Sequence, residues 1–584
     1  MDVTVENFAS ALGEFKVAVA DAQLLSFDTE LTGLDVSSET ASHMNDTLVT
    51  RYLKAVENTE AFLITQFGVS TFAYDNDRRE WSAKTFNFYV FPRSSYSNDK
   101  RFVCQATSLE FLTKYQFNFN KVFYEGVPYL SRAQEDRVRR HMARVPTVTE
   151  PIKLSAPSDL KLIAMLKTSL DQCKTSGKPW FRFPTRNSFE RRLVYQFAEE
   201  REDVFVRKDE VDSCTLIVDL VTPEQKAERL KEMEQAKLDA LEDAIGFRKV
   251  IDIMSQSRLP IVVHNGFVDL VQTYSQFVEP LPDNLSTFAG RLHVLFPHLY
   301  DTKYLSNHHP DLEALRHAHL SSLFELTQDL VSSESAVSST PAAAATTDKV
   351  QSSRSPSTSR RARSAAVPHI VHAPGYDRYA IGDLPHEAGY DAYMTGSAFI
   401  RLMHSLGYLG EQKPLPHPFS HNTIAVYASD FQLRLAQAPV FPTRPDVLIV
   451  QYADQVAART PSQVSRSVRA ELGADIVRCV LPYQPKDIAY YVRLRTNIDA
   501  PDGVRLSDVQ LPGASIYSFE DFAKEEFRRH SAQRKRKPSS LPVSSRSAFQ
   551  ALPASSPRVG ALQVVLLTAA GFAAGYWFGK TSDA

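Results

Sequence analysis

Hydrophobic and polar positions change period several times within residues 1–150. In "VENFASALGEFKVAVADA" the apolar residues recur three and four apart, which predicts a helix, whereas "LLSFDTEL", "FLITQFGVSTFAY" and "TFNFYVFP" are short apolar runs that predict strands. A strand-rich sheet with flanking helices follows. The first strand carries an anomaly. Side chains in a strand alternate faces, so Asp28 and Glu30 project together while Phe27 and Thr29 project the other way. Two adjacent carboxylates in an apolar run repel each other, and the usual compensation is a cation.

Composition shifts near residue 151. From 151 to 222, "DLKLIAMLKTSLDQCKTS" and "NSFERRLVYQFAEER" predict helices and "CTLIVDLV" a strand, together a small inserted α/β module. "VTPEQ" opens the next helix, with Thr222 as cap, Pro223 at the first helical position and Gln225 completing a capping box. "KAERLKEMEQAKLDALEDA" reads as a long solvated helix that returns the chain to the first body, and "IGFRKVIDIMSQSRLPIVVHNGFVDLVQTYSQF" as helix, buried strand, helix. The stretch 331–366 is rich in Ser, Ala, Thr and Arg and lacks the large apolar residues that offset ordering entropy, so disorder is expected there. "HIVHAPGYDRYAIGDLPHEAGYDAYMTGSAFIRLMHSLGYL" reads as mostly helix, and "DVLIVQY", "PSQVSRSVRAELG", "IVRCVLPY" and "DIAYYVRLR" as a βαββ unit of the RNA-recognition kind. The expected organisation is a body of residues 1–150 and 223–413 interrupted by the 151–222 insertion. An RNA-recognition-like unit at 414–525, a basic linker at 526–558 and an apolar segment at 559–579 complete it.

That last segment, "VGALQVVLLTAAGFAAGYWFG", is uncharged, and as a helix it would span roughly 31 Å, close to a bilayer's hydrocarbon core. Arg558 and Lys580 bracket it, only "KTSDA" follows, and "RKRK" at 534–537 precedes it, the pattern of a single-pass tail anchor with the body in the cytosol. Moderate hydrophobicity with flanking cations favours the mitochondrial outer membrane, the endoplasmic reticulum being the alternative. Gly571, Gly575 and Gly579 are spaced for close helix approach, which would permit a homodimer. The rest of the chain is globular in composition. Hydrophobic residues make up 43% and aromatic residues 10%, enough for packed cores, while a formal charge of -2 gives no global footprint for nucleic acid. Cys104, Cys173, Cys214 and Cys479 form no CxxC pair, against a zinc or redox motif and in keeping with reduced thiols. "MDVTVENFASALGEF" lacks a basic stretch followed by an apolar run, so no signal peptide is expected.

Three acidic segments must be taken together. Asp28 and Glu30 lie on the first strand; Asp269 follows Asn265 by four in "VVHNGFVDL", at a strand-to-helix turn; Asp391 follows His386 by five in "PHEAGYDAYMTG". Each alone is a weak signal. In this order they have the layout of RNase H-like exonucleases of the DEDD type, histidine subclass. In-line hydrolysis of a phosphodiester uses one metal ion to activate the water and a second to stabilise the leaving oxygen. Four carboxylates balance two divalent cations, and hard oxygen ligands suit magnesium or manganese. His386, with an imidazole pKa near neutrality, can take the proton of the attacking water. The expected catalytic set is therefore Asp28, Glu30, Asp269, His386 and Asp391, with the four acids as metal ligands. Asp301 in "LYDTKYL" is a rival acid for which a hydrogen-bonded structural role is expected, and capping and orienting roles are expected for His264 and Asn265.

The segments "FDTELTGL", "FNFYVFP", "FNKVFYEGVPYL", "VVHNGFVDL", "FPHLYDTKYL" and "PHEAGYDAYMTG" resemble, in that order, the poly(A)-specific ribonuclease family of deadenylases over roughly the first 410 residues. The resemblance implies an α/β, RNase H-like exonuclease domain and 3′-to-5′ hydrolysis of single-stranded RNA bearing a free 3′ hydroxyl. The insertion resembles the family's module named for an Arg-x-x-x-His signature, but Arg192 is followed four later by Gln196, which points to packing rather than RNA contact. The RNA-recognition-like unit lacks the Gly- and aromatic-rich strand that stacks bases; Tyr483, Tyr490 and Tyr491 read either as stacking residues or as half-buried packing residues. The apolar segment at 559–579, with "HIVHAPGYDRYAIGDLPHEAGYDAY" and "PDVLIVQY", resembles the membrane-anchored branch of the family that shortens the 3′ ends of PIWI-bound piRNA precursors. This implies a PIWI protein and a membrane-bound Tudor and KH-domain adaptor as partners, and membrane lipid around the anchor. The alternatives are deadenylation of messenger or noncoding RNA, and a non-catalytic scaffold holding RNA at a membrane. The presence of all five expected residues argues against the scaffold.

Overall fold

The computed structural model describes residues 1–94, 100–143, 152, 154, 156–212, 214–337, 368–380, 384–409, 420–452, 460–483, 488–499 and 504–532. Residues 1–532 form one compact unit. The anchor expected at 559–579 lies outside the described residues. Among the described residues no helix is long and apolar enough to cross a membrane.

The body is built on a nine-stranded mixed sheet. Its order is Asp2–Val3, Glu80–Tyr89, Ile64–Asp75, Leu24–Leu31, Ile261–Val263, Leu299–Asp301, Thr423–Ala425 and Gln432–Arg434, and His369–His372 adds beside Glu80–Tyr89. The apolar run 24–31 forms a central strand, antiparallel to Ile64–Asp75 and parallel to Ile261–Val263. Alternation sorts its side chains as the sequence implies. Leu25 and Phe27 join the main core with Phe15, Phe67, Val250 and Leu270, while Ser26 turns to the other face and donates to the Ala392 carbonyl at 2.5 Å.

That other face is covered by the helix Ala388–Ser405, buried along nearly its whole length because apolar residues occupy all its sides. The helix comes close where the sheet has no side chain. Gly68 lies directly opposite Asp28, and a Cβ there would fall 2.0 Å from the Ala388 carbonyl. Two strand amides then serve the helix start: Gln66 Oε1 accepts from the Ala388 amide at 2.9 Å, and Asn87 Oδ1 from the Gly389 amide at 3.1 Å. Two of the orphan donors of the first turn are thereby satisfied inside the protein.

The insertion is a three-stranded antiparallel sheet, Trp180–Pro184, Thr215–Leu220 and Val204–Lys208, packed through Val218 and Phe183 on the helices Pro157–Thr175 and Ser188–Glu199. The strands Trp180–Pro184 and Val204–Lys208 were not expected; each is only 5 residues long and is interrupted by arginine. Gln196, where the signature histidine is missing, accepts from the Ile152 amide at 2.8 Å and so ties the chain entering the insertion to its second helix. The capping box at Thr222 and Gln225 starts the helix Pro223–Ile245, whose buried residues, Leu241, Ala244 and Ile245, lie at its far end.

A four-stranded antiparallel sheet, in the order Val477–Pro482, Ala489–Leu494, Val447–Tyr452, Ala514–Ser518, forms the last part of the described chain. Leu448, Val450, Tyr490 and Val492 hold the helix Pro461–Leu472 on one face. The opposite face, with Ile449 and Tyr491, is continuous with the main core and with Phe519, Phe522 and Ala523 of the helix Phe519–Ala532. No face of this sheet is left for bases among the described residues. Tyr483, Tyr490 and Tyr491 are buried, and the Tyr483 hydroxyl is bonded to Thr50 Oγ1 at 2.8 Å and Glu526 Oε2 at 3.2 Å; all three are packing residues.

Four boundaries differ from expectation. Thr423–Ala425 and Gln432–Arg434, assigned above to the 414–525 unit, complete the nine-stranded sheet; at 3 residues each they are too short to show a period. The helix Phe519–Ala532 crosses the boundary at 525, its acidic and basic residues paired along its exposed side. The helix Leu320–Val337 runs into the 331–366 stretch, of which residues 338–366 lie outside the described residues. "HIVH" is a strand parallel to Glu80–Ala83, so the helix expected over this region starts only at Ala388.

Candidate active site

The ends of three elements converge on one cleft of about 660 Å³, lined by Asp28, Glu30, Asp269, His386 and Asp391. All five expected residues therefore meet. Asp28, Glu30 and Asp391 form the tight cluster, with a carboxylate oxygen of each within 4.8 Å of the others. Asp28 and Glu30 are brought there by strand alternation, and Asp391 by the helix that Gly68 admits. Asp269 approaches from the helix Phe267–Thr273 and lies outside that tight group; Thr29 Oγ1 donates to its Oδ1 at 2.5 Å.

The acids perturb one another. Burial, then the charges of Asp269, Asp391 and Glu30, pushes Asp28 well above the usual carboxylate range. Burial, then Asp391, Asp269 and Glu387, does the same to Glu30. Burial raises Asp269 against the Thr29 hydrogen bond, and raises Asp391 to about 7. Four carboxyl groups so placed ionise together only when a positive charge joins them. An all-oxygen, anionic donor set fits hard divalent cations.

His386 sits beside this cluster with a left-handed backbone, φ 65°, and its amide donates to Asp391 Oδ1 at 3.4 Å. The imidazole is flanked by Phe111 and Tyr115, with ring centroids 4.6 and 4.2 Å away. Burial lowers its pKa, which keeps the ring neutral and able to accept a proton at neutral pH.

Asp301 takes the structural role expected of it. It is fully buried on the strand Leu299–Asp301, and its carboxylate accepts from the amides of Asn265, Gly266, Lys303, Tyr304 and Ala425. Burial raises its carboxyl to about 6 against those bonds. Asn265 is not the cap that was expected. It holds φ 56°, Gly266 occupies the cap position, and Asp301 fixes both amides instead. His264 lines the cleft with Nδ1 2.8 Å from Thr302 Oγ1, its pKa lowered to about 3 by burial. Thr29, Gln66, Asn87, Phe111 and Tyr115 position the expected residues without having been singled out. The available signals were Gln66 and Asn87, polar residues within the apolar runs 62–74 and 85–92.

The CAF1 family ribonuclease profile matches residues 3–399. The chain belongs to this family. It is accordingly a 3′-to-5′ exoribonuclease with an RNase H-like α/β body, of a family that uses divalent metal ions. Poly(A)-specific ribonuclease PARN of Xenopus laevis is 28% identical over 485 residues, covering 77% of this chain and 72% of that protein. Pre-piRNA 3′-exonuclease trimmer of Bombyx mori is 27% identical over 323 residues, 53% of this chain and 58% of that protein. Poly(A)-specific ribonuclease PNLDC1 of Mus musculus is 26% identical over 424 residues, 70% of this chain and 72% of that protein.

Proposed function

We propose that this CAF1-family ribonuclease trims the 3′ ends of PIWI-bound piRNA precursors while anchored in the mitochondrial outer membrane. The observation that carries the reading is the uncharged segment 559–579 behind the nuclease body, a feature that a soluble messenger-RNA deadenylase does not need. The likeness to the Bombyx mori trimmer supports it. In this reading a PIWI protein presents the RNA, and a membrane-bound Tudor and KH-domain adaptor brings the two together.

Asp28, Glu30, Asp269 and Asp391 are proposed to hold two divalent cations, magnesium or manganese, which when bound acidify a water and offset charge on the leaving 3′ oxygen. The chain's own groups do the rest. Thr29 orients Asp269, and the helix start anchored by Gln66 and Asn87 fixes Asp391 over Asp28. His386, neutral and held between Phe111 and Tyr115, receives the proton of the attacking water.

Sequencing small RNAs from cells carrying the active chain or its Asp28→Ala variant tests the reading. Extended 3′ ends confined to PIWI-bound species are expected; lengthened poly(A) tails with unaltered small RNAs would instead establish deadenylation, the reading favoured by the name of the Xenopus laevis relative. Deleting residues 559–584 should release the chain from membranes, and unchanged membrane association would exclude the anchor.

A further inference from the structure

The segment after the strand Thr423–Ala425 was not expected to belong to the nuclease, yet it carries Val426 and Tyr427 into the cleft that holds the carboxylates. Tyr427 is 64% exposed there. Its backbone, by contrast, is pinned on both sides. The Ala425 amide donates to Asp301 Oδ2 at 3.0 Å, and Arg51 Nη2 donates to the Ala428 carbonyl at 2.9 Å. Arg51 is itself held 3.1 Å from Asp46 Oδ2, and Ala428 turns through φ 45°. A tyrosine lining the cleft from a fixed backbone loses little freedom when something lies against it.

Cations on the same wall are already engaged. Lys54 Nζ contacts both Asp46 oxygens, at 3.0 and 3.1 Å, and the Ala41 carbonyl at 2.9 Å, while Arg51 also donates to the His43 carbonyl at 2.6 Å. Both side chains are buried. This part of the cleft therefore offers an incoming strand an aromatic face rather than free phosphate-binding charges.

We infer that Tyr427 is a stacking platform for a nucleobase of the single-stranded RNA whose 3′ end is processed in this cleft. The inference rests on the nuclease reading of the site. Every base has a π-face, so a single aromatic platform grips RNA with little preference for sequence. That property suits an enzyme shortening precursors of mixed sequence and gives no selectivity for adenine.

The test uses the full chain in detergent, chelator in place of metal so that RNA is not consumed, and a fluorescent ten-nucleotide oligoribonucleotide of mixed sequence with a 3′ hydroxyl. Tyr427→Ala should raise Kd about 5- to 100-fold, Tyr427→Phe should stay within about twofold of the parent, and the salt dependence of binding should be the same in all three. Oligo(A) should show the same loss. Unchanged affinity of Tyr427→Ala, or an equal loss in Tyr427→Phe, would overturn the platform, the latter by assigning the effect to the hydroxyl. A reduced salt slope would also overturn it, by assigning the loss to phosphate contacts. Failure of the nuclease reading is seen separately, as failure of the parent chain to shorten the same RNA once magnesium is added. Matching thermal unfolding of the three proteins is expected for an exposed ring, and Tyr427→Trp, which keeps a platform, should bind at least as tightly as the parent.

Discussion

Asp301→Asn is the most discriminating perturbation of the frame behind the site. Asparagine keeps the shape of the side chain and removes one acceptor. Oδ1 of Asp301 accepts from the amides of Asn265, Lys303 and Tyr304 at 2.9, 2.9 and 3.2 Å; Oδ2 accepts from Gly266 and Ala425 at 3.2 and 3.0 Å. The best an asparagine can do is present its oxygen to the first three, which leaves its NH2 group facing the other two donors. Two buried N–H groups without acceptors cost about 1–3 kcal/mol each, about 2–6 kcal/mol together. At the lower bound, hydrogen exchange at Gly266 and Ala425 should accelerate roughly 30-fold, a factor of ten per 1.4 kcal/mol. Gly266 caps the helix that carries Asp269, and Ala425 precedes Tyr427, so single-turnover trimming should slow together with the loss of protection. Exchange mass spectrometry with a quenched-flow RNA assay reads both. Activity lost with protection intact would mean that Asp301 acts directly on the metal or substrate, and activity and protection both unchanged would show that the hub positions nothing.

Asp28→Ala should abolish metal-dependent shortening of RNA, a loss on the order of a thousandfold, and should raise the thermal midpoint in chelator because it removes one of four repelling acids; a lowered midpoint in chelator would contradict the electrostatic account. The chelated protein should lose stability as pH rises. Burial raises the Asp391 carboxyl from the ordinary 3.8 to about 7 in the folded state, so the folded state binds its proton more tightly, its contribution is fully present below the ordinary value, and it is lost as pH climbs to about 7. Denaturant midpoints measured across that window with and without magnesium should diverge above it. Tyr483→Phe should destabilise docking of the four-stranded sheet by about 1–3 kcal/mol, since its hydroxyl bonds Thr50 and Glu526, and leave RNA affinity unchanged; weakened RNA binding would restore the stacking role.

The parts of this molecule legible in the sequence are those where one residue's chemistry conflicts with its neighbourhood. Asp28 and Glu30 in an apolar strand demand an explanation by themselves, and the explanation requires partners, so Asp269, His386 and Asp391 could be sought at a distance. What was not legible depends on pairs that no local pattern links. Gly68 reads as an ordinary strand glycine until the register sets it opposite Asp28 and under Ala388. Gln66 and Asn87 are polar residues within strands whose acceptors serve a helix some 300 residues later. Thr423–Ala425 is too short to have a period, and its place in the sheet is decided by the neighbouring strand Leu299–Asp301 and the carboxylate of Asp301, so the domain boundary drawn from composition fell on the wrong side of it. The same logic governs the accessory sheet. Its strands follow from alternation, but whether its second face meets RNA or the nuclease depends on where Phe519 and Phe522 lie, and these occupy it. A four-stranded sheet filled in this way braces the segment 47–51, whose Thr47 and Thr50 meet Tyr483 and whose Arg51 holds the Tyr427 turn. The accessory unit thus braces the wall of the cleft, and mutations at its core should be read as changes in that wall.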